Sequence, residues 1–489
     1  MRRHFAGSCS MSGMRATPDR TESRGLDPAL FLILGVALFL RVHEALRAPL
    51  WYDELYSLVA ANRPFADMLQ IARSDVHPPL HFILTWIWRV FGNSDLAVRS
   101  LSILCGLGGL AAAYALTQAM FGRTAARIST LLLALHPWHI YVSQEARSYA
   151  LLWLALTLSA LGAWRWHESG RPRDGVLFIL ASAVALWTHY IAGLVLAVQF
   201  AWGFVALARE PRRLLHWLGL HAAVGLLFAP QVPTLWAQFH RVETDHWMQR
   251  PELAALIDLA RRLAFGGTLL VPVVFALALA PLLRATQRSA AIFAWVVGPV
   301  TVVVCWYLGT RGVRLFGVKY VLFTLPLVMA LVAAGIARLP GRATSSVVAA
   351  LLALAALRST WLRAPQPEAS SLALVRSHLE ARMRPGDVVF HADTHTLLFA
   401  QHYLGQQRHR LLLENQRLPY FEGGLLVADS TRAEATELDL AQANGIRWFA
   451  MAARPAGLDT RAARAQFDSL AVDRVDTLGV VTAWDGVRR

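Results

Sequence analysis

Two adjacent acidic residues, Asp53 and Glu54, follow the first apolar segment of the chain and sit beside Trp51 and Tyr52. A carboxylate at the depth of a membrane surface is partly desolvated, which raises its basicity and suits it to act as a general base. The pair could instead only cap a helix, because acidic residues stabilise a helix N-terminus. We predict that Asp53 is the base, aided by Glu54, with Glu145 as the alternative.

Three cations, Arg311, Arg314 and Lys319, lie within nine residues of one another in front of a late apolar segment. The forked guanidinium of arginine and the point charge of lysine both bind phosphate oxygens. We therefore predict a phosphate site on this segment. Arg99, at the head of an earlier apolar segment, either reaches the same phosphate or extends its charge to the membrane surface.

Other polar residues lie at the ends of apolar segments, where they could contact a polar substrate. His77 precedes two prolines, Glu145 and Arg147 lie between two apolar segments, and His189 and Tyr190 lie at the turn between two others. Glu145 and Arg147 could equally form an ion pair, and His189 and Tyr190 could equally cap a helix end. Pattern alone leaves both interpretations open.

The elements that carry these residues are predicted from composition. Of the 489 residues, 56% are hydrophobic and only 16% are charged, against about 25% charged in soluble domains. Repeated apolar runs of about twenty residues are long enough to span a bilayer as helices and lack the alternation of barrel strands. The chain is therefore predicted to be an all-α polytopic membrane protein. Its net charge of +15 resides mainly in arginines at the ends of the runs, which indicates membrane topology and not nucleic-acid binding.

Eleven spans are predicted, with basic clusters between them that fix the sides of the membrane. They cover residues 27–47, 98–120, 125–143, 148–166, 174–189, 190–208, 214–235, 267–284, 289–309, 320–338 and 344–362. Residues 1–26 form a basic cytoplasmic tail, residues 27–363 the membrane domain, and residues 48–97 a long outer loop. Within that loop, residues 79–92 are too short to span and are predicted to lie at the interface as a helix. The cations at 311–319 then lie on the outer side, where topology alone disfavours them.

The composition becomes that of a soluble domain from about residue 364. Strand-like and helix-like segments alternate over residues 364–489, which predicts a small α/β domain that acts as a lid or docking module. An odd number of spans places this domain on the outer side. It lacks the glycine-rich motifs of nucleotide sites.

Acids, cations and aromatic residues on one outer surface suit a phosphate-bearing lipid with a polar group. A polyprenyl-phosphate sugar fits: the cations would bind the phosphate, the aromatic rings would stack on the sugar, and a carboxylate would deprotonate the acceptor. The acceptor could be a lipid, a glycan or a protein. A transporter or flippase for a lipid-linked glycan is the alternative, although its ionisable residues would be expected near the bilayer midplane.

Six short motifs resemble those of a known group of enzymes. WYDE, DVHPPL, VR, SQEARSYAL, THY and KYVLFTLP occur in order across residues 27–340. This set resembles the membrane glycosyltransferases of the protein O-mannosyltransferase and lipid A aminoarabinose transferase kind, which have the GT-C fold. The resemblance implies an inverting transfer of a hexose or pentose from a polyprenyl-phosphate donor, on the periplasmic side of a bacterial inner membrane.

The resemblance also implies roles for single residues. The family's acidic pair corresponds to Asp53 and Glu54, its essential arginine to Arg99 and its later acidic loop to Glu145, while its Arg-Tyr pair becomes Lys319–Tyr320. Lysine keeps the charge but loses the bidentate fork. In the aminoarabinose relatives a carboxylate precedes the HPP-like turn, where this chain has Val76. A divalent metal would therefore need another arrangement, drawn from His77, Glu145, His189 and His246, and no cofactor is required by the sequence.

The predicted topology can be tested with reporter fusions at Gly170 and Gly386. We expect a cytoplasmic signal at Gly170 and an outer signal at Gly386, because the short loops assigned to the inside are rich in arginine. An outer signal at Gly170 would contradict the assignment of sides.

Overall fold

The computed structural model of the protein describes residues 27–244, 250–313, 315–363, 367–384, 387–405, 408–412, 426–427, 431–434, 437–439, 441, 448–453, 472–478 and 481–486. It confirms the predicted fold class, a helical membrane protein with a small C-terminal α/β region. Its helices are α1 (Pro28–Ala45), α2 (Tyr52–Ala61), α3 (Phe65–Ser74), α4 (Leu80–Trp88), α5 (Asp95–Phe121), α6 (Arg123–Leu135), α7 (Pro137–Gln144), α8 (Tyr149–Ser169), α9 (Pro172–Thr188), α10 (Ile191–Ala206), α11 (Pro211–Phe228), α12 (Val232–Thr244), α13 (Leu253–Leu263), α14 (Leu270–Leu279), α15 (Ala285–Trp295), α16 (Thr301–Thr310), α17 (Val318–Val321), α18 (Leu325–Ile336), α19 (Arg342–Leu362), α20 (Pro367–Glu380) and α21 (Thr394–Tyr403).

The predicted spans all fall on helices, but not all of them are single long helices. Among the described residues, six helical segments are long and apolar enough to cross a membrane, and a seventh is obtained if α7 and α8 count as one bent span. The other predicted spans fall on shorter or interrupted helices, namely α6, α9, α10 and α14. The span predicted at residues 125–143 is broken between α6 and α7 because Pro137 cannot continue a helix and restricts His136 before it.

Three short helices, α2 to α4, form the long loop between the first two predicted spans. The acidic pair lies in the first turn of α2, where carboxylates are favoured. Residues 79–92 are helical as predicted: α4 is followed by the turn Arg89–Phe91 and ends at Gly92, whose φ of 97° suits glycine. The location of α4 at a membrane interface stays a prediction.

In the described part of the C-terminal region, six strands form one sheet: β1 (Val388–His391), β2 (Arg408–Leu412), β3 (Arg432–Ala433), β4 (Trp448–Ala453), β5 (Val472–Leu478) and β6 (Val481–Gly486). Their order is β3-β2-β1-β4-β6-β5. The first four are parallel, with Val389 opposite Phe449, and β6 and β5 add an antiparallel edge. The apolar run of β1 is buried, as expected for a central parallel strand.

The C-terminal region packs directly on the helices of the long loop. Leu55 of α2 and Met68 of α3 share an apolar core with Phe399 of α21 and Phe449 of β4. One hydroxyl joins three parts of the chain: Tyr403 accepts a hydrogen bond from the Leu50 amide at 2.8 Å and donates one to Asp95 at 2.8 Å. The start of α2 is thereby held between the membrane helices and the sheet.

The Tyr403 hydroxyl offers a test of this docking. Tyr403→Phe leaves the amide of the buried Leu50 without its acceptor, so we expect a loss of about 1–3 kcal/mol in the free energy of unfolding. The measurement is the melting temperature of the protein in detergent. Tyr307→Phe is the matched control, because Tyr307 is exposed on α16. Equal melting temperatures for the two variants would show that the hydroxyl does not fix the interface.

Candidate active site

Glu54 is the most completely bonded acid at the start of α2. Its carboxylate accepts hydrogen bonds from Arg99 Nε at 2.8 Å and from Arg99 Nη2 at 2.6 Å. The Ala146 amide adds a bond at 3.0 Å and the Trp51 amide one at 3.3 Å. Glu54 is only 1% exposed. A buried carboxylate paired in this bidentate way is well satisfied, and little of it remains to accept a proton from a substrate.

Arg99 projects from α5 and directs every N–H group of its guanidinium at the protein. Besides Glu54, Nη1 donates to the carbonyls of Ala45 at 2.5 Å and Ala48 at 2.8 Å, and Nη2 donates to that of Pro49 at 3.1 Å. A guanidinium has five donors, and these contacts use all five. The structure therefore does not support the predicted phosphate contact of Arg99, because no donor is left over. Arg99 instead ties the end of α1 to the start of α2.

Asp53, the neighbour of Glu54, is in the opposite situation. It is half-buried, and within the described residues its carboxylate has no hydrogen bond or ion pair. Its charge is balanced at longer range by Arg147 and Lys319. Arg147 also contacts the Asp53 backbone carbonyl at 3.4 Å. One acid of the pair is thus saturated by the protein, and the other is available to a substrate.

Glu145 and Lys319 form an ion pair close to Asp53. Lys319 Nζ lies 2.9 Å from Glu145 Oε1 and 4.3 Å from the centre of the Trp51 ring. Burial raises the pKa of the Glu145 carboxyl, and the attraction of Lys319 offsets this only in part. The second oxygen, Oε2, is buried and has no partner in the described part of the chain. Glu145 Oε2 is thus an acceptor that no described donor reaches.

An open cleft runs beside this pair, with Arg363 on its edge. The Arg363 guanidinium lies 4.9 Å from the centre of the Tyr141 ring and 3.5 Å from Glu44, and its Nε is buried with no partner among the described residues. The cleft is lined by Glu44, Arg47, Ala48, Pro49, Trp51, Glu54, Arg99, Tyr141, Gln144, Glu145 and Arg363. Sequence reasoning missed Arg363, although an arginine at the predicted outer end of the last span is the same anomaly that drew attention to Lys319.

A second group of residues lies on the other side of Arg147. Asp75 Oδ2 is 3.3 Å from His77 Nδ1, the His77 and His189 rings are 5.0 Å apart, and the His189 and Tyr320 rings are 4.8 Å apart. Burial acts to raise the pKa of the Asp75 carboxyl, but the charges of His77 and Arg147 outweigh it and hold that pKa below its usual range. Sequence reasoning missed Asp75 because it considered only Val76, which directly precedes His77, and not Asp75, which lies two residues before His77.

Three predicted site residues lie apart from this cluster. Tyr52 stacks on His395 of α21, with ring centres 3.8 Å apart, so it faces the C-terminal region. The Tyr190 hydroxyl is hydrogen-bonded to Gln238 and, at 3.1 Å, to Gln231. Arg311 is exposed at the end of α16, and the structure gives it no contact with Lys319. Arg314 and His246 lie outside the described residues.

The described residues do not provide the divalent-metal site considered from the sequence; His246, one of its four candidates, lies outside them. Glu145 contacts the Lys319 ammonium, which would repel a second cation, and His77 is paired with Asp75. Across the described ranges, no three His, Cys, Asp or Glu side chains are arranged to hold a metal ion.

Comparison with known proteins supports the predicted resemblance. Residues 76–236 match the family model described as dolichyl-phosphate-mannose-protein mannosyltransferase. No curated protein matches the chain by sequence.

Solved structures match over most of the chain. ArnT from Cupriavidus metallidurans, in a crystal structure bound to undecaprenyl phosphate, superposes with a TM-score of 0.63 at 15% identity, over 94% of this chain and 98% of that one. Its apo structure gives a TM-score of 0.65 at 15% identity over the same shares of the two chains. The archaeal oligosaccharyltransferase AglB from Archaeoglobus fulgidus, in complex with an inhibitory peptide and a dolichol-phosphate, gives 0.52 at 11% identity, over 87% and 69%. The protein thus has the GT-C fold and resembles the membrane glycosyltransferases of the protein mannosyltransferase and ArnT kind.

Proposed function

We propose that the protein is an inverting glycosyltransferase that moves a sugar from a polyprenyl-phosphate donor to an acceptor on the periplasmic side of a bacterial inner membrane. The observation that carries this proposal is the carboxylate of Asp53, which has no partner among the described residues and lies beside the Lys319–Glu145 pair, next to the saturated Glu54–Arg99 pair. The family match and the lipid phosphates bound by ArnT and AglB support a donor of this class.

Asp53 acts as the general base in this proposal. It takes the proton of the acceptor as the acceptor oxygen or nitrogen forms its bond to the anomeric carbon, on the face opposite the phosphate. The bond from the anomeric carbon to the phosphate oxygen breaks, and the polyprenyl phosphate leaves with the electron pair. Because phosphate is a good leaving group, one base and nearby cations are sufficient. Glu54 and Arg99 position Asp53 and do not themselves exchange protons.

Lys319 and Arg363 are the cations best placed for the donor phosphate. Their charged groups lie 5.1 Å and 4.9 Å from the centre of the Tyr141 ring. Arg363 lines the cleft, and Lys319 pairs with Glu145, which also lines it. The partnerless Nε of Arg363 gives a phosphate oxygen a free donor. The alternative is the phosphate site predicted from the sequence at Arg311 and Arg314; of these, Arg311 is exposed at the end of α16, and Arg314 lies outside the described residues.

The sugar would lie between the cleft and the histidine group. Glu145 Oε2 and His189 Nε2 are both buried without partners in the described chain. Glu145 Oε2 would accept a hydrogen bond from a sugar hydroxyl, whereas His189 Nε2 would donate one to a sugar oxygen, because Nδ1 of this ring already accepts the Ile191 amide. Trp51 and Tyr320 offer apolar ring surface for stacking, and Arg147 and His77 complete the polar lining. Tyr52, which stacks on His395, would lie on the acceptor side of the sugar site, and Tyr190 would lie at the outer edge of that site. Buried groups that need a substrate partner discriminate strongly between substrates.

The role of Asp53 is tested by comparing two neighbouring amides. Asp53→Asn keeps the side-chain size but removes the base, so we expect turnover to fall by about 10²–10⁴-fold, with donor affinity and melting temperature unchanged. Glu54→Gln should instead lower the melting temperature, because it leaves the buried Arg99 without its counter-ion. The assay is transfer of labelled sugar by the purified protein. Near-normal turnover of Asp53→Asn would indicate that Glu145 is the base. A flippase, which needs no base, would also keep its activity with this substitution.

The phosphate contacts are tested by binding of undecaprenyl phosphate to the purified protein. Arg363→Gln and Lys319→Gln should each weaken binding by about ten- to a hundredfold, since each removes a charge-assisted contact. Lys319→Arg should bind as well as the wild type or better. Arg311→Gln is the matched comparison, because that side chain is exposed and outside the cleft. Loss with Arg311→Gln but not with Arg363→Gln would return the phosphate site to the segment predicted from the sequence.

A further inference from the structure

A pocket of about 380 Å³ opens at the far end of the helix bundle, between the last turns of α5 and α8 and the first turn of α9. Its charged lining consists of Arg165, Arg171, Arg173, Glu168 and Asp174, with Trp164 at one side. We call it the arginine pocket. The transfer reaction proposed above makes no use of it.

The arginine pocket is separated from the candidate active site by the length of a membrane span. The helix α8 has 21 residues, from Tyr149, whose ring lies 5.9 Å from that of Tyr320, to Ser169. At about 1.5 Å per residue the helix is roughly 30 Å long, which matches the thickness of the hydrocarbon core. The pocket therefore lies at the depth of the opposite membrane surface.

The arginines of the pocket have no side-chain partners in the described part of the chain. Among the described residues, none of the guanidiniums of Arg165, Arg171 and Arg173 has a hydrogen bond or ion pair, although two acids share the pocket. One of these acids, Asp174, is buried and accepts a hydrogen bond from Ser169 at 3.1 Å.

Two other arginines at the same end of the bundle are used by the protein itself. Arg123 and Arg127 both bind Asp27, at 3.3 Å and 2.7 Å. The arginine pocket thus concentrates donors that the described part of the protein does not use.

An apolar stripe leads from the pocket along α9 toward the middle of the membrane. Val176 and Leu180 follow Arg173 at three and seven residues, so they lie on the same face of the helix, and they are 52% and 57% exposed. A free anion would use only the arginines, whereas a lipid would use the arginines for its headgroup and the stripe for an acyl chain. Trp164 lines the pocket but is itself buried, and its indole N–H donates to the carbonyl of Ala119 at 3.4 Å.

We propose that the arginine pocket binds the phosphate-bearing headgroup of an anionic phospholipid of the membrane leaflet opposite the active site. Guanidinium forks match phosphate oxygens, and basic pockets between membrane helices recognise such headgroups. The turn that joins α8 to α9 brings two of these arginines together. Gly170, with φ of 65°, ends α8, and Pro172 starts α9. Arg171 therefore lies in the turn, and Arg173 lies in the first turn of α9.

The test uses the full-length protein in detergent with added lipid, read out by native mass spectrometry and melting temperature. Phosphatidylglycerol should be retained and should raise the melting temperature, whereas phosphatidylcholine with the same acyl chains and inorganic phosphate alone should do neither. The triple variant Arg165→Gln/Arg171→Gln/Arg173→Gln should weaken phosphatidylglycerol binding by about a hundredfold, from roughly fivefold per arginine. Binding of undecaprenyl phosphate in the cleft should be unchanged.

The matched control is Arg284→Gln/Arg288→Gln/Arg342→Gln, which removes the same charge from exposed arginines outside the pocket and should retain binding. The double variant Arg171→Gln/Arg173→Gln changes only exposed side chains and keeps the test available if Arg165 is needed for folding. Equal retention of the two lipids, equal losses in the pocket and control variants, or an equal effect of inorganic phosphate would each overturn the proposal.

Discussion

The buried ion pair between Arg99 and Glu54 is the interaction on which the candidate active site depends. Removing two charges from water is costly unless every donor and acceptor is used, and this pair meets that condition. The five donors of Arg99 reach Glu54 and the carbonyls of Ala45, Ala48 and Pro49. The Ala146 amide binds the same carboxylate. One pair therefore fixes the end of α1, the start of α2 and the loop between α7 and α8.

The two adjacent acids therefore have different roles. Glu54 is bound by the protein from several sides, which fixes the position of Asp53, whose own carboxylate has no partner in the part of the chain that the structure describes. The loop fixed through Ala146 carries Glu145 and Arg147 on either side of that residue. From the other direction, α21 of the C-terminal region holds Tyr52 through the stacked ring of His395. The membrane helices and the sheet meet where the proposed chemistry takes place.

Much of the fold followed from the sequence, because long apolar runs and basic clusters are direct physical signals. The helices of the spans, the helix at residues 79–92 and the C-terminal α/β region were predicted in this way. The break at Pro137 was missed because the apolar run continues through it. In the site, residue type identified Asp53, Glu145 and Lys319 as candidates. Sequence spacing could not show that Arg99 uses all its donors within the protein or that Arg363 reaches Tyr141, since these contacts join distant segments. The pairing of Asp75 with His77 depends on the local turn, which the sequence pattern did not specify.

The proposed function is the transfer of a sugar to a component of the cell envelope. Mass spectrometry can detect this transfer in envelope glycans, glycolipids and glycoproteins from cells that contain the protein, lack it, or carry only the Asp53→Asn form. We predict that one sugar mass disappears from a defined acceptor in cells that lack the protein and is restored by the wild type but not by Asp53→Asn. Identical glycans with and without the protein, or full restoration by Asp53→Asn, would contradict the account.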